Sequence, residues 1–183
     1  MQRVFTGDSP WAAPRFAEAS AAIERLLPRF AGRTVVTRFV APAEPTGAWV
    51  PYYRDWPFAL VPDDDELYAL TEPFAALAAT GTPGGVTTSS VPVVTEPTFG
   101  KWGTSLQAVT DTDTGAGPER RHLVLTGVST DCCVLSTALA AADAGVRVTV
   151  VADACAGASD VDHARALDAM RLYAPLVTVV DTL

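Results

Sequence analysis

HLVLTGVSTDCCVLSTALAAADAGVRVTVVADA, residues 122 to 154, is the stretch that decides the fold. HLVLTGV is an apolar run of strand length, and VRVTVVADA (146–154) is a second one. Between them the small residues of 132–144 predict a helix, stopped by Gly145. Downstream, VDHARALDAMRLYA (161–174) predicts another helix, with Ala164, Leu167, Met170 and Tyr173-Ala174 on one side. LVTVVDTL closes the chain as a third strand. Continuous apolar strands alternating with helices predict βαβ units and a parallel sheet covered on both faces.

The upstream half is less regular. Phe16, Ala19, Ile23 and Leu26-Leu27 fall at helical spacing within 14–30, and TVVTRFV (34–40) reads as a buried strand. Residues 41–65 read as a loop with five prolines (42, 45, 51, 57 and 62), carrying Trp49, Tyr52, Tyr53, Trp56 and Phe58. A short helix broken near Pro73 is expected over 66–77, then a turn-rich stretch at 80–90. VPVVT (91–95) predicts a strand, 103–109 a helix, and TDTDTGAGPERR a polar loop. With no internal repeat or linker, residues 1–183 are expected to form one three-layer α/β/α domain around a mostly parallel sheet.

A net charge of −8 and a pI near 4.6 argue against nucleic acid or an anionic membrane as partner. No apolar run approaches the ~20 residues that span a bilayer. Three cysteines, two of them adjacent, make a poor disulfide framework, so a reducing cytoplasm is the expected setting. The two histidines, His122 and His163, lack metal-ligand spacing, and no metal is expected.

In a parallel α/β sheet, ligands sit where strands end and helices begin. TGVSTDCC lies at such a place, with Thr130 or Asp131 as the expected N-cap. Cys132 and Cys133 then fall on the first helical turn, where free N–H groups and the helix dipole favour a thiolate. The same N–H groups suit an oxyanion formed on attack at a carbonyl. A phosphate site ranks lower, because neither G-x-G-x-x-G nor a P-loop lysine is present. The competing reading is a Cys buried as a small hydrophobe on a packing helix.

GVSTDCCVLSTALAAADAGVRVTVVADACAG resembles the signature of the isochorismatase-like cysteine hydrolases, a superfamily that includes nicotinamidases, N-carbamoylsarcosine amidases and isochorismatases. The resemblance covers essentially the whole chain and implies their Rossmann-like fold. It implies that Cys133, directly before Val134, is the nucleophile and Cys132 a bystander. It further implies a cis peptide between Val128 and Ser129, with the N–H groups of Ser129 and Cys133 forming the oxyanion hole. No cofactor is implied; a small-molecule substrate and a homo-oligomer, dimer or tetramer, are.

Two members of that family's Cys–Lys–Asp triad depart from the pattern. Met1-Gln2-Arg3-Val4-Phe5 matches the residues that directly follow the family's aspartate, so the first, central strand and its Asp are expected upstream of residue 1. Either Met1 is internal to a longer protein or the chain is a truncated, impaired form. Asp8, in TGDSPW, reads as a turn residue. The usual lysine slot falls at or beside Glu96, whereas the chain's single lysine is Lys101. Lys101 is thus either the catalytic lysine or an exposed loop residue. The metal-binding histidines of the nicotinamidase branch have no counterpart in TRFVAPAEPTG. Aromatic residues, Phe5, Phe39, Trp49, Trp56 and Trp102, are expected to line the substrate pocket instead, or else to anchor the long loop. The expected reaction is C–N hydrolysis of a small amide or carbamoyl compound. Vinyl-ether hydrolysis and a non-catalytic role are the alternatives.

Overall fold

A computed structural model describes residues 1–79, 91–111 and 121–183. Its longest strand explains the layering. Along β4 (Arg147–Ala156), Val148 and Val150 pack with Val134, Ala138, Leu167 and Met170, while Val151 and Ala154 pack with Ala22, Ile23 and Leu26. Alternate side chains leave opposite faces of a strand, so each face of β4 needs its own cover of helices. One cover is α5 (Leu135–Asp143) with α6 (Asp160–Arg171); the other is α1 (Phe16–Leu26). Val148, Val150, Val151 and Val177 are fully buried, each contributing about 1.5–3 kcal/mol.

β4 lies between β3 (His122–Val128) and β5 (Val177–Val180), parallel to both. A second parallel pair joins β1 (Val36–Phe39) to β2 (Val93–Glu96), in register Val36 to Val93. Among the described residues the two sheets share no ladder. Between β1 and β3 lies a cavity of about 700 Å³, lined along its length by Val36 and Thr37 on one side and Val124, Leu125 and Thr126 on the other. Ile23 and Leu26 of α1 line it too, as do Trp102 and Leu106. It is therefore a strand-shaped slot with a sheet edge on each flank.

The polypeptide crosses the slot's end at Met1-Gln2. Gln2, 2% exposed, donates from Nε2 to the Phe39 carbonyl at 2.9 Å and accepts the Phe39 N–H at 2.8 Å. Its amide thus pairs with the tip of β1 as a neighbouring strand would.

Several local expectations need correction. Residues 41–65 are not all loop: Trp49–Asp55 form α2. Pro51 is tolerated there because it stands in the first turn, where its missing N–H has no intrahelical partner. On α6, Ala164 is exposed and Tyr173 lies beyond the helix at 42% exposure; Ala166, Leu167 and Met170 form the buried stripe. The helix near Pro73 divides as expected, with α3 (Phe74–Ala79) beyond the proline, and α4 spans Thr104–Asp111. The turn-rich stretch 80–90 and most of the polar loop, 112–120, lie outside the described residues.

Candidate active site

β3 reaches the site through a break in its ladder. The register with β4 shifts between Leu125 and Gly127, and Gly127 adopts φ +115°. A Cβ there would meet nothing within 4 Å, so the backbone angle, rather than lack of space, demands glycine. The cis peptide Val128–Ser129 follows. Thr130–Val134 then makes one π turn, closed by the Val134 N–H donating to the Ser129 carbonyl at 3.1 Å, before α5 begins.

This corrects the expected cap. Ser129 holds the N-cap position, without a side-chain cap bond, while Thr130 and Asp131 are engaged elsewhere. Thr130 Oγ1 lies 2.8 Å from His163 Nδ1, and Asp131 Oδ1 accepts the Ala158 N–H at 3.0 Å.

Cys133, Lys101, Phe5 and Phe39 line one small cavity of about 50 Å³, together with Thr37 and Thr126. Lys101 is 5% exposed, which excludes the exposed-loop alternative. Its Nζ donates to the Thr98 carbonyl and stands 5.2 Å from the Phe39 ring centroid, a cation–π contact. Thr137 ties its main chain to that of Cys133: Oγ1 accepts the Lys101 N–H at 2.9 Å and donates to the Cys133 carbonyl at 2.6 Å. Glu96 is not among the residues lining the cavity; its Oε1 lies 3.3 Å from where a Cβ on Gly103 would stand.

Burial pushes the Cys133 thiol above its ordinary value, opposed by the Lys101 ammonium and by a hydrogen bond from the Ser129 N–H. Burial pulls Lys101 below its ordinary value, opposed by Cys133 and Glu96. Cys132 is pushed up to about 11 by burial with Asp131 beside it, and buried Cys155 to about 12. Cys133 alone of the three therefore has a cation facing it. No carboxylate lines its cavity among the described residues. Asp8 sits in an exposed turn.

Trp49, Trp56 and Trp102 do not line this cavity. Trp49 packs edge-on against Phe99 and Tyr52, each at 5.2 Å, and Trp56 stands 6.1 Å from Trp11. Trp102 lines the slot and packs on the α5–α6 core. Tyr52, close enough to Cys132 and Cys133 to be affected by both, has its phenol raised to about 12, chiefly by burial. Among the described residues no group of three or more His, Cys, Asp or Glu is arranged to hold a metal ion, and no helix is long and apolar enough to cross a membrane.

The Isochorismatase domain model matches residues 1–182. The chain belongs to the isochorismatase family. Isochorismatase domain-containing protein 2 of Xenopus laevis is 46% identical over 61 residues, which is 33% of this chain and 30% of that protein. The aligned stretch thus spans less than a third of that curated relative. Among solved structures, an isochorismatase-like hydrolase from Alkaliphilus metalliredigens superposes with TM-score 0.71 at 18% identity, covering 98% of this chain and 89% of its own. A cysteine hydrolase from Pseudomonas syringae gives TM-score 0.74 at 18% identity, with coverages of 98% and 84%. A nicotinamidase from Bacillus subtilis gives 0.70 at 19%, with 98% and 94%. At these identities the structures establish the isochorismatase-like fold and no more.

Three residues of this isochorismatase-family site escaped the sequence reading. Thr137 stands four residues after Cys133, the spacing at which a hydroxyl reaches back to a carbonyl. His163 heads the stripe of Ala166, Leu167 and Met170 and so belongs to the buried face of α6. Gln2 carries no local signal, since its partner Phe39 is 37 residues away.

Proposed function

We propose that the chain is a cysteine hydrolase that cleaves the C–N bond of a small amide or carbamoyl compound. The observation carrying this reading is the shared cavity of Cys133 and buried Lys101, with the Ser129 N–H on the sulfur. The Cys133 sulfur attacks the carbonyl carbon, forming a C–S bond and a tetrahedral oxyanion held by the N–H groups of Ser129 and Cys133. Collapse breaks the C–N bond, and the nitrogen leaves with a proton. Water then attacks the thioester, releasing the acid and restoring the thiol.

A thiol raised by burial needs a base to take its proton, and among the described residues no carboxylate lines the cavity. The slot between β1 and β3 suggests the source. It shares Met1, Thr37, Thr126 and Gly127 with the Cys133 cavity, so a parallel strand seated in it would end beside the sulfur. A carboxylate carried at the end of a strand in that slot would stand beside the sulfur and serve as the base. Phe5 and Phe39 supply apolar walls for the substrate; dimeric or tetrameric assembly is part of the same reading.

Ammonia release from a panel of small primary amides and carbamoyl compounds tests it. The chain is assayed as it stands and with an apolar N-terminal strand ending in Asp. The expected result is turnover in the extended form, a covalent acyl adduct on Cys133 by intact mass, and loss of both in Cys133→Ala. Undiminished turnover in Cys133→Ala would overturn the cysteine mechanism. Turnover of a vinyl ether that survives Cys133→Ala would favour the alternative chemistry.

A further inference from the structure

We propose that His163 is a positioning residue for the nucleophile turn: by holding Thr130 it fixes the backbone that aims the Ser129 N–H at the Cys133 sulfur. The inference rests on the reading of Cys133 as nucleophile and adds the element that holds its turn in place. Thr130 is fully buried, and its hydroxyl lies 2.8 Å from His163 Nδ1. Either neutral tautomer sustains that bond, since a hydroxyl both donates and accepts.

The strut is itself anchored. Ser159 caps α6, accepting the Asp162 N–H at 3.1 Å, and its carbonyl accepts the His163 N–H at 2.9 Å. His163 therefore stands on the first turn of a capped twelve-residue helix, not on a loop. A second tie runs beside it, from Asp131 Oδ1 to the Ala158 N–H. Gly157 shows how closely the two segments meet. A Cβ there would lie 2.8 Å from Asp131 Oδ1 and 2.9 Å from the His163 main-chain nitrogen. The start of α6 is thus pressed against the π turn at two successive turn residues, Thr130 and Asp131, which stand between the N–H donor and the sulfur that receives it.

Hydrogen bonding to a thiolate stabilises the charged form, so loosening Thr130 raises the pH at which Cys133 ionises. Asp160, Arg15, Asp131 and Arg171 act on His163, and Lys101, Asp131, Cys132, Tyr52 and the Met1 α-ammonium, itself lowered to about 6, face Cys133; all stay unchanged in the variants.

The test is the pH profile of iodoacetamide alkylation at Cys133, read by peptide mass mapping on the full chain. His163→Leu is expected to move the midpoint up by about half to one pH unit, and Thr130→Val to match it. Because the two act through one bond, the double variant should shift no further than either alone. His163→Asn, whose amide can meet the Thr130 hydroxyl, should restore the original midpoint. A lowered melting temperature with the midpoint unmoved in folded His163→Leu or Thr130→Val would show packing alone and overturn the proposal. Should His163→Leu fail to fold, Thr130→Val decides, since it removes only the hydroxyl at nearly constant shape. The absolute rate at Cys133 against Cys132 and Cys155 tests the nucleophile reading. The displacement between variants tests the strut whether that rate is fast or slow.

Discussion

Replacing Gln2 by Leu keeps the side chain's bulk and removes its amide. In the native chain that amide donates to Phe39 O at 2.9 Å and Tyr68 O at 3.0 Å, and accepts Phe39 N–H at 2.8 Å. Tyr68 O retains a second donor, Arg38 Nη2 at 3.4 Å, but both main-chain groups of Phe39 lose the partner they have on the slot side. An orphaned buried polar group costs about 1–3 kcal/mol, so Gln2→Leu should destabilise the chain by about 3 kcal/mol after partial relaxation. For a domain of this size, that lowers the melting temperature by roughly 6–12 °C. Urea titration followed by circular dichroism measures it, with the midpoint falling and the slope unchanged. A loss under about 1 kcal/mol would refute the claim that the Gln2 amide serves β1 in place of a neighbouring strand.

Removing the cation in Lys101→Met should raise the alkylation midpoint of Cys133, slowing its labelling at pH 7.5 while leaving Cys132 and Cys155 unaffected. An unchanged profile would mean that Lys101 does not act on the sulfur. Gly127→Ala forces a side chain onto φ +115°, so a loss of about 1–3 kcal/mol is expected in thermal melts even though the methyl has room. His122 and His163 are held below the ordinary histidine value, chiefly by burial. The unfolded chain therefore binds protons first as pH falls through about 6.5, and stability present above that pH is lost below it. Melts at pH 7.5 and 5.5 should show the drop, and His122→Asn combined with His163→Asn should reduce it.

The parallel architecture was legible because β4 needs covering on both faces and so has no polar alternation to disguise it. The position of Cys132 and Cys133 between a strand end and a helix was legible, whereas the choice of Cys133 over Cys132 comes from the family resemblance. Lys101 was not resolved, since burial depends on the fold of 96–103 around Phe39 and Thr137, which no local pattern states. The aromatic loop misled in part. Trp49, Trp56 and Trp102 have composition suited to a pocket, but about two turns of helix at Trp49–Asp55 send two of them to pack among Trp11, Tyr52 and Phe99. Capping misled too: Thr130 and Asp131 are good cap residues by type, yet both are taken by partners 33 and 27 residues away.

The separation of the two sheets also bears on how the chain reaches this shape. β3, α5, β4, α6 and β5 are consecutive in sequence and adjacent in space, so that half can condense while closing only short loops. β1 and β2 stand more than fifty residues apart, and among the described residues no ladder joins them to β3. Loop-closure cost thus favours assembly from the carboxyl-terminal half outward, bringing the turn bearing Cys133 together before the cavity that Lys101 and Phe39 complete around it.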